Sequence, residues 1–512
     1  MCPETPLPTL LLVWRGEGDG KLLGFSNASQ NLNGFHRAHP TLNAERRTSK
    51  GWCGFRALFA VGAATLLLAG CKGITQPEER AARKQLSEEA RTYRPNDHAP
   101  ALPTLTDDSP FSDFLTYAEL RHPEVAANYY DWVASVERIT IERSRPDPKL
   151  TFEAYIAGTI TSIMPGLMTD IPGPGKLPAR GRVAAAESEA KYFAFKASLL
   201  QTAYGVKKAY HELHFHNEEI RVNQETLQLL ADLEQIARAE NETGKGTLQD
   251  VLRVQIEEEK LRGEVANLHE THRALLARFK AALGMTPSDP EPPVPSDVAT
   301  SAPDLNDEQL LDKALARNLQ LKSMEAEIRR AEASIQLARK DKVPDFSAGG
   351  EVDVKAAPVI WNPQLSMTLP IWRDKLAAEI AEAQANKRSA EARLTSSQIS
   401  LAVNFAVKLA LYREANRNLT VLDEQVLPKA RQSLDLTRAD YLSGRSNFLD
   451  VIDAERQLLN FELERVDALQ QQELLLEDLS LIIEGATPPE SSVSMQSAPT
   501  IPAVNRSKSG GM

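Results

Sequence analysis

Cysteine is nearly missing: three occur in 512 residues, Cys2, Cys53 and Cys71. If the chain is cut before the last of them, no intrachain disulfide can form. Apolar runs long enough to cross a bilayer as a helix, eighteen residues or more, are absent. A surplus of positive charge is absent too. The formal net charge is −11 and no Lys/Arg-dense face stands out, which argues against a nucleic-acid partner. No phosphate-cradling glycine loop, zinc-ligand spacing or nucleophile motif occurs, so nothing points to an enzyme or to a cofactor.

What the chain does have is Ala, Leu, Glu and Arg in long stretches, a composition that favours long helices and coiled coils. Near the N-terminus stands "RALFAVGAATLLLAGCKG". Arg46, Arg47, Lys50 and Arg56 lead into the uncharged segment Ala57 to Gly70, too short to span a bilayer and the right length for a signal-peptide core. "LLAGC" resembles the bacterial lipobox, in which the cysteine, here Cys71, is lipidated and becomes the first residue. Lys72 after it, in place of an aspartate, favours sorting to the outer membrane.

One element occurs twice. "ETGKGTLQDVLRVQIEEE" (242–259) and "YLSGRSNFLDVIDAERQL" (441–458) align Gly244 with Gly444, Asp250 with Asp450 and Val251 with Val451. The glycines permit a sharp reversal, and each aspartate then falls in the first turn of the returning helix, where a carboxylate is favoured. Asp453 adds a second carboxylate three residues on, on the same helix face. The duplication extends upstream. Residues 119–154 parallel 315–350, each a helical run closed by Pro-Asp, at Pro146-Asp147 and Pro344-Asp345, and followed by an extended segment.

There the periodicity changes to two. Leu150, Phe152, Ala154 and Ile156 oppose Lys149, Thr151, Glu153 and Tyr155; Phe346, Ala348, Val352 and Val354 oppose Ser347, Glu351, Asp353 and Lys355. Leu365, Met367, Leu369 and Ile371 alternate with Gln364, Ser366 and Thr368 over 364–371, while the partner near Leu167 to Ile171 is broken by proline and glycine. Such alternation suits strands with lipid on one side and water on the other; a half-buried hairpin of a soluble domain reads the same way. Residues 181–243 and 374–443 are nearly free of glycine and hold one proline, Pro428. As helices they would reach roughly 95 and 105 Å, with Val206, Leu213, Ile220 and Leu227 forming a seven-residue seam. "ISLAVNFAVKLAL" (399–411) alternates like a strand but reads as helix from its flanks. The returning helices run from about Thr247 to Leu283 and from Asn447 to Ile483.

Four short strands cannot close a barrel alone, and open sheet edges cannot sit in lipid. If these strands enter a membrane, the chain must join copies of itself to close the sheet. At this point "LPKARQSLDLTRADYLSGRSNFLDVIDAE" (427–455), the duplicated helix–hairpin–helix and the lipobox resemble the TolC-like family of outer-membrane efflux channels. "IPGPGKLPARGRVAAAE" (171–187) and "LPIWRDKLAAEIAEA" (369–383) resemble the strand-to-helix passages of its heavy-metal branch. The resemblance implies a mainly α fold with a small β part. Three protomers would form a twelve-stranded outer-membrane β-barrel continued by an α-barrel of long helical hairpins through the periplasm. It implies a homotrimer with porin activity, lipid-anchored in the outer membrane, that conducts substrate passively when docked to a periplasmic adaptor and an inner-membrane pump. The division expected is a signal-peptide region (1–70), a lipidated segment (71–107), a first repeat (108–283), a Pro-rich linker (284–304), a second repeat (305–485) and a disordered tail (486–512). Two alternatives stand beside it: a periplasmic coiled-coil adaptor or structural lipoprotein without a pore, and a type I secretion exit channel.

By the same resemblance, Asp450 and Asp453 ring the constriction, and Tyr441 hydrogen-bonds to Asp250 to hold the channel closed. Gly244, Lys245, Gly444 and Arg445 would form the tips that meet the adaptor. Ser446 stands where the family places a basic latch residue. Five histidines, His211, His214, His216, His269 and His272, cluster at similar heights of the first hairpin, and neutral imidazole binds transition metals. The alternative is that they are solvated or packed side chains, since His211 and His214 fall off the seam and His272 shares a stripe with Leu268 and Leu275.

Overall fold

The computed structural model describes residues 75–95, 98–157, 159–295 and 307–488. The signal peptide, the lipobox with Cys71, the linker from residue 296 and the tail from residue 489 lie outside them.

Three helices come first: α1 (Pro77–Tyr93), α2 (Phe111–Arg121) and α3 (Pro123–Arg143). A hairpin of β1 (Lys149–Ala157) and β2 (Thr159–Ile171) leads into α4 (Lys176–Glu242), which is 67 residues long, about 100 Å at 1.5 Å per residue, and returns as α5 (Leu248–Ala282). The second half repeats this with α6 (Asp307–Arg317), α7 (Leu319–Lys340), β3 (Phe346–Asp353) and β4 (Ile360–Met367). A second long helix follows as α8 (Arg373–Val421), one π turn (Leu422–Val426) and α9 (Leu427–Leu442), and α10 (Phe448–Glu484) returns. Residues 399–411 are helical within α8, as their flanks imply. Pro428, which has no N–H to give the helical ladder, stands directly after the π turn, whose wider pairing carries the Leu427 amide to the Leu422 carbonyl and accommodates the missing bond.

Two expectations change. The helical runs before the strands are each split, at His122-Pro123 and at Asn318. The His122 ring caps α3 by accepting from the Glu124 amide at 3.3 Å, and the Asn318 side chain caps α7 through the Leu321 amide at 2.9 Å. The strands also differ in extent. β4 ends at Met367, so Leu369 and Ile371 follow it, beside Pro370, which has no N–H to donate. β2 runs straight through Pro165-Gly166. Its ladder with β3 stops at Gly166, one residue short of the proline, and a Cβ on Gly166 would lie 2.4 Å from the Glu351 side chain.

The four strands form one antiparallel sheet in the order β1-β2-β3-β4. Its register pairs Leu150 with Leu167, Phe152 with Pro165, Leu167 with Gly350, Phe346 with Met367 and Val352 with Trp361. Directly opposed residues share a face, so one face carries these apolar groups together with Ala154, Ile163, Ala348 and Leu365. The other carries Lys149, Thr151, Glu153, Asp170, Ser347, Glu351, Asp353 and Gln364. The alternation read from sequence survives in three dimensions. On the polar face Lys149 pairs with Asp170 at 2.8 Å, Ser347 donates to Asp170 at 2.7 Å and Ser162 to Asp353 at 2.6 Å.

Beneath the sheet, Asp345 of the second Pro-Asp joins the two halves. It accepts from the Gly173 amide at 2.7 Å and from the buried Lys176 ammonium at 2.9 Å. The apolar core is strung along the helices as separate clusters. Tyr93, Val125, Tyr129, Trp132, Val136 and Phe195 join α1 and α3 to α4, with Trp132 stacked on Phe195 at 5.7 Å. Lower down, Leu230, Leu233, Ala237, Val251, Val254, Leu434, Phe448, Val451 and Ile452 unite α4, α5, α9 and α10 just above the bends.

Candidate functional site

Both bends are built alike. Gly244 and Gly444 take φ of +75° and +73°, the left-handed region that a Cβ disfavours. The Lys245 amide bonds back to the Glu240 carbonyl at 2.9 Å, and the Arg445 amide to the Asp440 carbonyl at 2.8 Å. Each returning helix then opens with a capping box. Asp250 accepts from the Thr247 amide at 3.0 Å and hydroxyl at 2.8 Å, and Asp450 from the Asn447 amide at 3.1 Å. Both aspartates therefore cap their own helices.

The gate contacts implied by resemblance are arranged differently. The Tyr441 hydroxyl is buried without a hydrogen-bond partner, and the hydrogen bond to Asp250 is not made, because Asp250 is turned toward Thr247. Tyr441 packs its ring on Phe448 at 5.0 Å. Burial raises its phenol pKa, and the charges of Asp250 and Glu240 push the same way. Arg445 reaches no second hairpin: it bonds to Asp440 of its own bend at 2.9 Å. Asp453 is exposed, 3.4 Å from Arg456. Lys245 is exposed at the first bend, and Ser446 donates to the Thr437 carbonyl at 3.2 Å.

The histidines disperse. His211 is buried, with its Nε2 3.9 Å from Glu477 of α10. His214 stacks on Tyr210 with ring centres 5.8 Å apart. His216 bonds to the Leu268 carbonyl at 2.8 Å and lies 6.4 Å, ring to ring, from His272. Burial lowers the His272 pKa, helped by His216 and His269. Among the described residues no group of three or more His, Cys, Asp or Glu is set to hold a metal ion.

Two polar clusters escaped the sequence reading. Above the bends, Arg456 of α10 bridges to Glu257 of α5 at 2.6 Å, tying one hairpin to the other beside the buried Glu455. Midway up, Tyr204 and Lys408 meet Asp478, each at 2.5 Å, and Lys207 meets Glu477 at 2.9 Å, joining α4, α8 and α10. The signal for the second was present: a carboxylate pair inside the apolar run "LLLEDLSLII" must find buried partners.

Against this geometry, residues 310–483 match the outer membrane efflux protein family. They belong to it. A cobalt-zinc-cadmium resistance protein of Cupriavidus metallidurans is 26% identical over 165 residues, 32% of this chain and 39% of that protein. The aligned part thus spans about two fifths of the curated relative. The solved channel CusC superposes with a TM-score of 0.64 at 16% identity, over 75% of this chain and 94% of that one. The open-state MtrE outer membrane channel of Neisseria gonorrhoeae gives 0.62 at 18% identity, over 77% and 98%. At these identities the solved structures establish the fold, which this chain shares with outer-membrane channels.

Proposed function

We propose that three copies of this chain close into the exit duct of a tripartite efflux system, lipid-anchored through Cys71 in the outer membrane and reaching through the periplasm to an adaptor and an inner-membrane pump. The duct is passive and carries out no chemistry. The observation that carries this reading is the sheet: four strands with one apolar face, one polar face and free edges at β1 and β4. In lipid those edges must pair, and the edge of one copy fits the opposite edge of the next. The helices repeat the pattern. Ile399, Val403 and Val407 lie exposed in a line along α8, an apolar stripe that a neighbouring copy would cover. The apolar face also argues against a pore-free adaptor, which has no use for a lipid-facing sheet.

In such a ring the exposed Asp453 and the capping Asp450 of three copies would gather around the narrowest level and favour cations. The likeness to a cobalt-zinc-cadmium resistance protein supports a divalent metal cargo. The assembly is tested by placing cysteines at Glu153 of β1 and Gln364 of β4 in one chain and adding a bis-maleimide. Its arm should be shorter than the roughly 14 Å between β1 and β4 within a sheet. A ladder ending at three copies is expected. An open-ended ladder, or none, overturns the reading.

A further inference from the structure

Phe448, Ile452, Glu455 and Leu459 recur along α10 at spacings of four, three and four, the seam of a coiled coil. Three of these positions suit a seam and the fourth does not. Glu455 is 3% exposed, as buried as Phe448 and Ile452 beside it. The groups around it are already committed. From α5, Glu257 takes Arg456 at 2.6 Å and Lys260 at 3.0 Å. Along α10, Asp453 shares Arg456 at 3.4 Å, and Glu462 takes Arg431 of α9 at 3.1 Å. Lys429 of α9 lines a separate cavity of about 340 Å³ with Ala454 and Gln457. From α4 the tip core presents Leu229, Leu230, Leu233, Ile236 and Ala237, and Glu234 is taken by Arg238 at 2.7 Å and by Gln255 of α5 at 2.6 Å. No hydrogen bond or ion pair remains for Glu455 among the described residues.

We propose that Glu455 is a proton-operated latch between the two hairpins: protonated, it packs as one more member of the seam, and ionised, it forces α10 away from α5 and loosens the bends. A buried carboxylate with no counter-ion can shed its charge, draw in water or move. Arg456 cannot serve it without releasing Glu257, and with it an ion pair that ties one hairpin to the other. Burial pushes the Glu455 carboxyl up to about 7, with the negative charge of Glu257 next in importance. A carboxyl raised on folding stabilises the closed form fully below the ordinary value of 4.5, and that contribution is lost as pH climbs through about 7. The tip bundle is therefore tightest in acid and loosens across neutrality. What loosening does to conduction rests on the channel reading; the latch itself does not.

The test is amide hydrogen exchange across 448–462 in the full lipidated chain in detergent, expressed as protection relative to the unfolded peptide at each pH. The wild type should lose roughly tenfold in protection between pH 6 and pH 8, the change set by a group titrating midway. Glu455→Gln and the seam-filling Glu455→Met should hold high protection at both pH values, while Asp453→Asn should keep the wild-type fall. A flat wild-type profile, or a Glu455→Gln profile that still falls, overturns the latch. Because exchange is read with or without a pore, a missing pore would count against the channel reading and leave this result standing.

Discussion

Phe152→Arg should nearly abolish insertion of the assembled protein, whereas Glu153→Arg, one residue along the same strand, should leave it in place. Phe152 lies on the apolar face opposite Pro165, in a middle row of the sheet, and is 70% exposed in the single chain. A cationic residue at the bilayer midplane of a barrel costs about 2–4 kcal/mol, and a closed ring of three would bear it three times. Glu153 points to the polar face, where in the proposed ring water would line the bore, and a change of charge there would alter the bore's field without exposing charge to lipid. The measurement is the fraction of each variant recovered from outer membranes as a heat-modifiable oligomer. Equal recovery would mean that the apolar face does not meet lipid.

Glu79→Ala should destabilise the chain by about 3 kcal/mol, the cost of leaving a buried cation without its partner. Glu79 of α1 is 1% exposed and receives Arg143 and, at 2.7 Å, Thr140 of α3, as well as Arg83 of its own helix at 3.2 Å, while Arg83 in turn meets Glu137 of α3 at 2.9 Å. Burial alone would raise its pKa, but the donors outweigh burial, Arg143 above all, and hold it at about 2. Its stabilisation is therefore complete above the ordinary glutamate value and is lost only as pH falls toward 2. Between pH 4 and 8 the wild type should keep this contribution and Glu79→Ala should lack it throughout, read as a lower midpoint of thermal unfolding in detergent. A midpoint unchanged at pH 7 would show that α1 is not held by this group.

Much of this was legible because period and punctuation survive folding. Leu150, Phe152 and Ala154 alternate with polar neighbours, and the register sets them on one face. Gly244 and Gly444 marked both bends, and Asp250 and Asp450 were placed in first turns where a carboxylate caps a helix. The breaks at His122 and Asn318 were missed because a cap inside a helical run looks like any polar residue. β2 was underestimated because Pro165 and Gly166 read as breakers, whereas in a sheet they end one ladder and make room for Glu351. The site was less legible than the fold. Tyr441 and Asp250 are brought close but not bonded, since the carboxylate has a local donor in Thr247. His211 looked off-seam and is buried all the same, because α4 packs α5 on one side and α10 on another. Arg456 and Glu257 are 199 positions apart, so their pairing could not be found from local spacing.

The central claim is that one chain supplies a third of a closed wall. The most direct measurement is the mass of the lipidated protein in detergent, followed by its conductance in a planar bilayer with the cation preference recorded. The account predicts three copies and cation-preferring channels, with that preference reduced in Asp450→Asn/Asp453→Asn. A monomer that carries no current would contradict it.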